Sequence, residues 1–395
     1  MRAYVFTDPA LSSQAGRFVW LELNTEKAEN AAFLRRTKVP ALPTFFVVDP
    51  ADERIALRWV GGATVTQLGK MLDDGERSVN GASVLTGGPE PGVRTVRPPI
   101  TDPAELAFME AESLYAAGQY APAADRYESA IGLSTPGWEH YGRAVESVLF
   151  CYSETDADEK SAQLSRTAFP RLRNTSSAGN VAASGLDAAV NLPPTYPGRD
   201  GLVAALENNA RIIAADRSVP MAADDRSAVY ISLHDARLDA RDSTGAKRVA
   251  GEWAEFLEGE AAKAPTPDAR AVFDSHRLAA YQALGQPERA VPMLQASERD
   301  LPGDYNPPAR LAIAYRDMHR WNDALAASDR ALDKAYGPRT LTMLQVRTDI
   351  YLGMADTTQA RSTLERAIRT AEALPEGQRS DRSIASLKKR LASLQ

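Results

Sequence analysis

The chain has 395 residues, 46 Lys and Arg against 52 Asp and Glu, a net charge of −6, 25 each of Gly and Pro, and one Cys. That length leaves room for two or three domains, and the mild acidity excludes an electrostatically driven nucleic-acid binder. One Cys excludes a disulfide framework, a Cys-based metal cluster and a dithiol redox centre within these residues, while the longest apolar runs are too short for a membrane span.

The first predicted element is a strand over Phe18–Asn24, β-branched and aromatic and bounded by Gly16 and Asn24. Thr25 is placed to cap a helix with Ala28, Ala31, Ala32 and Leu34 on its inner face, stopped by Pro40 and Pro43. Thr44 to Val48 reads as a covered strand, Asp49–Pro50–Ala51–Asp52 as a turn, and Ile55 to Val60 as a returning strand. Gly61–Gly62 leads into a helix capped by Thr64 and ending near Asp73. Ser78 to Pro103 holds nine Gly or Pro in 26 positions and has no periodicity, the composition of a linker. Residues 1–100 carry 12 basic and 11 acidic side chains, leaving 34 against 41 for an Ala-rich, mildly acidic helical remainder.

In that remainder, Ala111 to Ala130 runs small residue, large residue, tight turn, small residue, aromatic, small residue. The same arrangement returns with Leu278, Tyr281, Gly285, Ala290, Leu294 and Pro302, then with Ala312, Tyr315, Trp321, Ala324 and Ala331. A third copy uses Tyr351, Ala355, Ala360, Leu364, Ala367 and Pro375. Ala290 to Ala324 is 34 residues and Ala324 to Ala360 is 36, so the pattern resembles a tetratricopeptide repeat. Between Gly137 and Pro267 the signal is weaker, with helical stretches expected at about 138–152, 157–168, 200–215, 222–241 and 246–263.

The N-terminal elements resemble the C-terminal two-thirds of a thioredoxin fold, over roughly residues 2–77. The resemblance is carried by Phe18–Asn24, the helix to Arg36, Leu42–Pro43–Thr44 leading into a buried strand, Trp59–Val60–Gly61–Gly62 and a closing helix, together with Val5–Leu11. It implies a cis-proline loop at Leu42, Pro43 and Thr44 beside a peptide face, with the first strands and the Cys-x-x-Cys lying before Met1. The expected organisation is therefore an α/β thioredoxin-like fragment at 1–77 and a linker at 78–103. Degenerate helical hairpins at 104–265 and tetratricopeptide-like repeats at 266–395 complete an all-α solenoid.

No residue stands out as catalytic, cofactor-binding or metal-ligating. Cys151, between Phe150 and Tyr152, reads as a small buried apolar residue. His140, His234, His276 and His319 lack metal-ligand spacing, and His234–Asp235 points apart on a helix. Asp156–Asp158–Glu159 lacks the glycine turn and terminal Glu of a calcium loop. Gly61–Gly62 and Gly87–Gly88–Pro89 lack a phosphate-loop context. The repeat-position aromatics are explained by packing, whereas Trp20 and Trp59 could pack in the sheet or line a peptide face.

Two functions remain. The first is a protein-interaction scaffold, with a protein or peptide partner on the helical array, no cofactor and no redox chemistry in these residues. The second is a thiol–disulfide oxidoreductase or redox chaperone whose dithiol lies upstream. The compartment expected for these residues is the cytoplasm; an upstream signal peptide would place the protein in the periplasm or outside the cell.

Overall fold

The computed structural model describes residues 5–37, 39, 41–86 and 101–394, so Pro40 and the 87–100 part of the expected linker lie outside the described residues. In chain order the elements are α1 (Ala31–Arg36), β1 (Thr44–Val48), β2 (Ile55–Val60), α2 (Val65–Thr86), α3 (Pro103–Ala116), α4 (Tyr120–Leu133), α5 (Tyr141–Ser153) and α6 (Asp158–Leu172). There follow α7 (Ala178–Asn191), α8 (Arg199–Ala215), α9 (Ala223–Asp239), α10 (Ser243–Lys263), α11 (Pro267–Ala271) and α12 (Asp274–Leu284). The last six are α13 (Ala290–Asp300), α14 (Asn306–Asp317), α15 (Trp321–Leu332), α16 (Pro338–Gly353), α17 (Thr357–Glu372) and α18 (Asp381–Ala392). They form two compact units: unit 1 comprises Met1–Ala15 and Pro40–Val249, and unit 2 comprises Gly16–Val39 and Ala250–Gln395.

Unit 1 contains the sheet, which has two strands. β1 and β2 are antiparallel with Phe45 opposite Trp59 and Val47 opposite Leu57, and the register shifts between Val47 and Val48. The turn closes through Asp49 N donating to Arg54 O at 2.9 Å, with Glu53 at φ 58°. The outward carbonyls of β2 are covered by side chains: Ser78 Oγ donates to Ala56 O at 3.0 Å and Arg143 Nη2 to Arg58 O at 2.6 Å. A strand edge capped in this way offers no free acceptors to another strand at those positions.

Three expectations for this region are corrected. Phe18–Asn24 is irregular and outside the sheet, with Val19 89% and Leu21 80% exposed; β-propensity without a neighbouring ladder and a buried face does not hold a strand. Of the expected thioredoxin-like fragment, the described residues contain a hairpin and its following helix. Asn24, not Thr25, makes the turn that follows, its Oδ1 accepting from Glu26 N at 2.9 Å, and the helix proper is only the six residues of α1. The helix begun by Thr64 continues past Asp73 to Thr86, so the first part of the expected 78–103 linker is helical. Gly75 lies where α2 crosses β1, and a Cβ there would stand 2.5–2.9 Å from the Val47 side chain, so this glycine serves close packing rather than chain termination.

From α3 onward, unit 1 is a run of antiparallel helices in which each packs on the next, α3 on α4 through α8 on α9. The odd-numbered helices also meet one another, α3 with α5, α5 with α7 and α7 with α9, in the layer that faces the hairpin, here called inner, while α6 meets α8 in the other layer. The stretches expected between 137 and 267 are regular helices, and α7 was not anticipated from the sequence. Its Ala178, Val181, Ala182, Leu186, Ala188 and Ala189 are all buried, while Asn180, Ser184, Asp187 and Asn191 recur at helical spacing on its open side, so the amphipathic period is present in the sequence.

Unit 2 repeats the plan with α12, α14, α16 and α18 alternating with α13, α15 and α17. A tyrosine and a small residue nine positions later recur through both units as Tyr115/Ala124, Tyr152/Ser161, Tyr281/Ala290, Tyr315/Ala324 and Tyr351/Ala360, the small residue being buried each time. The tyrosine ends one helix and the small residue begins the next, letting the pair approach closely. Successive hairpins are also tied electrostatically. Glu128 accepts from the Tyr152 hydroxyl at 2.6 Å and Lys160 Nζ at 2.8 Å, and Glu258 accepts from Tyr281 and Arg289, each at 2.6 Å. No helix among the described residues is long and apolar enough to cross a membrane.

Candidate interaction surface

The residues singled out by sequence sit as follows. The Leu42–Pro43 peptide bond is cis, Pro43 O accepts from Gly61 N at 2.8 Å, and Thr44 Oγ1 donates to Ala41 O at 2.6 Å. Leu42 is 66% exposed. Trp59 is buried and Trp20 is half exposed with its ring edge-on to Phe18. Cys151 is fully buried in α5, and burial pushes its thiol up to about 12, which removes thiolate reactivity near neutral pH. His140 is buried against Phe108, with ring centres 4.5 Å apart; burial, the largest influence, draws its pKa below the ordinary histidine value. His234 Nδ1 does reach Asp235 Oδ1, at 3.1 Å, because side-chain torsions bridge the angle between neighbouring helical positions.

In unit 1 the inner layer carries the chain's own hairpin. Arg143, on α5, forms a bidentate pair with Glu112 of α3 at 3.1 and 3.2 Å, and its guanidinium lies 4.5 Å from the centre of the Trp59 ring. Tyr127 donates to the same Glu112 at 2.6 Å. Arg58, only 2% exposed, donates to the Tyr120 hydroxyl at 2.7 Å and stands over Phe46. At the far end of β2, a Cβ on Gly62 would lie 3.6 Å from Asp225 of α9. The hairpin and the residues just after it thus reach α3, the start of α4, α5 and α9. Sequence reading missed this network, although one signal was present: Arg58 is a lone charge inside the apolar run Ile55–Val60, and a charge in such a run needs a partner.

In unit 2 the inner layer carries a row of charges. Gln282 of α12 donates to Asp317 of α14, and Arg316 beside it donates to Asp317 at 2.7 and 2.9 Å. Arg316 also reaches Asp349 of α16 at 3.5 Å, and Asp349 accepts from Arg390 of α18. The four charged side chains are between 24% and 37% exposed. At the other end of α12, Asp274 is wholly buried. Burial raises its pKa against the pull of Ser297 and of Arg310, Arg277 and Arg270.

No protein-family model and no curated protein matches the chain. Solved structures similar to it include a tetratricopeptide repeat protein from Parabacteroides merdae, 10% identical, covering 73% of this chain and 98% of that one, with a TM-score of 0.45. Two others are the TPR2AB domain of yeast Sti1 in its pHSP90 complex (15% identity, 73% and 98% coverage, TM-score 0.28) and residues 1–338 of the RpL4 assembly chaperone Acl4 (13%, 73% and 97%, 0.31). The hairpin array described above stands on the helix order and packing of this chain.

Proposed function

We propose that the protein is an interaction scaffold and that the inner layer of unit 2 receives a protein or peptide partner. The observation that carries this reading is the row Asp317–Arg316–Asp349–Arg390, alternating in sign across three helices and open to solvent over a quarter to a third of each side chain. Ion pairs at such exposure contribute about 0–1 kcal/mol each to stability; their pattern serves selection of a partner with complementary charges better than it serves folding. In unit 1 the equivalent helices already hold the hairpin, which in this reading is a packing element with no thiol chemistry of its own.

Reversing two charges tests the reading. A partner identified by cross-linking to the wild-type chain should lose measurable association with the R316E/D349R variant in calorimetry, while the circular dichroism spectrum stays unchanged. Equal binding by both chains would overturn it.

A further inference from the structure

Unit 2 holds a turn-and-helix stretch of its own chain, a turn at Asn24–Lys27 leading into α1, and contacts reach both its backbone and its side chains. Gln378, in the loop between α17 and α18, donates its side-chain amide to both Thr25 O and Lys27 O at 2.9 Å. Asn24 Nδ2 donates to the Tyr336 hydroxyl at 2.8 Å, and Lys27 lies over the Tyr336 ring. Arg339, at the start of α16 and flanked by the Tyr305 and Tyr336 rings, pairs with the Glu26 carboxylate. Two glycines permit the approach: a Cβ on Gly337 would collide with the Glu26 carbonyl and one on Gly377 with the Ala31 carbonyl. Farther along, Arg35 meets Glu376 at 3.2 Å with both side chains more than half exposed.

The hold is specific but shallow. Ala31 is the buried residue of α1, and burying one alanine contributes under about 1 kcal/mol. The exposed ion pairs add little more. The Gln378 amide is also used on one side only: its Oε1 is buried without a hydrogen-bond partner, a cost that an incoming backbone N–H would remove.

We propose that the edge formed by Tyr336–Arg339 and Pro375–Arg379 is a peptide site, occupied within the chain by Asn24–Arg35. From a partner it would take a segment that makes the same turn into a short helix, with a carboxylate side chain at the position of Glu26. Arg339 reads the carboxylate, Gln378 reads the backbone, and the resident segment acts as a displaceable strap. This inference rests on the reading of the chain as an interaction scaffold.

The test uses the full chain and a fluorescent synthetic peptide with the sequence of residues 18–37. In the wild type the resident segment competes at the high effective concentration of a tethered ligand. The E26R variant weakens that competitor, so it should bind the peptide about ten-fold or more tighter than wild type. A peptide carrying Gln in place of its glutamate should bind less well, and adding R339E to E26R should close the site again by re-forming the pair with swapped charges. N24A is a second opening variant that leaves the site intact, should E26R fold poorly. Equal affinity for wild type and both opening variants, no binding to any, or affinity indifferent to Arg339 would overturn the proposal. Its failure is separable from that of the scaffold reading, because loss of partner binding in R316E/D349R does not depend on the strap.

Discussion

Arg143 stands 4.5 Å above the centre of the Trp59 ring and donates to the carbonyl of the residue before it, Arg58, at 2.6 Å. One side chain of the helical array thereby fixes both the face and the backbone edge of the hairpin, and its pairing with Glu112 satisfies the charge that this burial requires. The consequence is that the hairpin and the first helices of unit 1 form one cooperative body.

Replacing Arg143 by Ala should therefore cost about 3–5 kcal/mol, the usual result of leaving one member of a buried ion pair without its partner. Arg143→Lys should be intermediate, keeping charge while losing the stacked, forked geometry. Denaturant unfolding of both variants checks the order; a cost under 1 kcal/mol for R143A would contradict it.

Gly75→Ala sets two effects against each other. Alanine favours the helix by about 1 kcal/mol, but its Cβ would press on Val47, and overpacking costs about 1–3 kcal/mol. The single variant should lose stability, whereas G75A/V47A should recover relative to V47A alone because the added methyl then fills space.

Stability should fall as pH rises from about 5 to 8. Burial raises Glu146 to about 7, with Ser177 and Arg143 pulling partly against it. Asp225 is likewise raised to about 7, by burial first and then by Asp224 and Glu146. Between the ordinary carboxylate range and about 7 the folded chain holds protons that the unfolded chain has released, so deprotonation works against folding across that window. Glu146→Gln should raise Tm at pH 8, with the gain shrinking toward pH 5; a pH-independent difference would argue against this account.

Cys151 should resist modification until the chain unfolds. With the thiol buried and raised to about 12, labelling by Ellman's reagent should be absent in native buffer and complete in denaturant. Disulfide-reductase turnover by these 395 residues would contradict both this prediction and the interaction reading.

Much of this protein was legible locally. The Tyr and small-residue pairs separated by nine positions mark the helical hairpins, because that spacing places both residues at one tight turn. The Asp49–Asp52 turn between two apolar runs likewise fixes the β-hairpin. Other features depended on residues far apart in sequence. The strand composition of Phe18–Asn24 could not make a strand where no ladder accepts it. The destination of the hairpin on α3, α4, α5 and α9, the grouping of Gly16–Val39 with unit 2, and the charge row across α14, α16 and α18 were likewise tertiary outcomes. Each depends on shape and charge complementarity between segments tens to hundreds of residues apart, which no local pattern encodes.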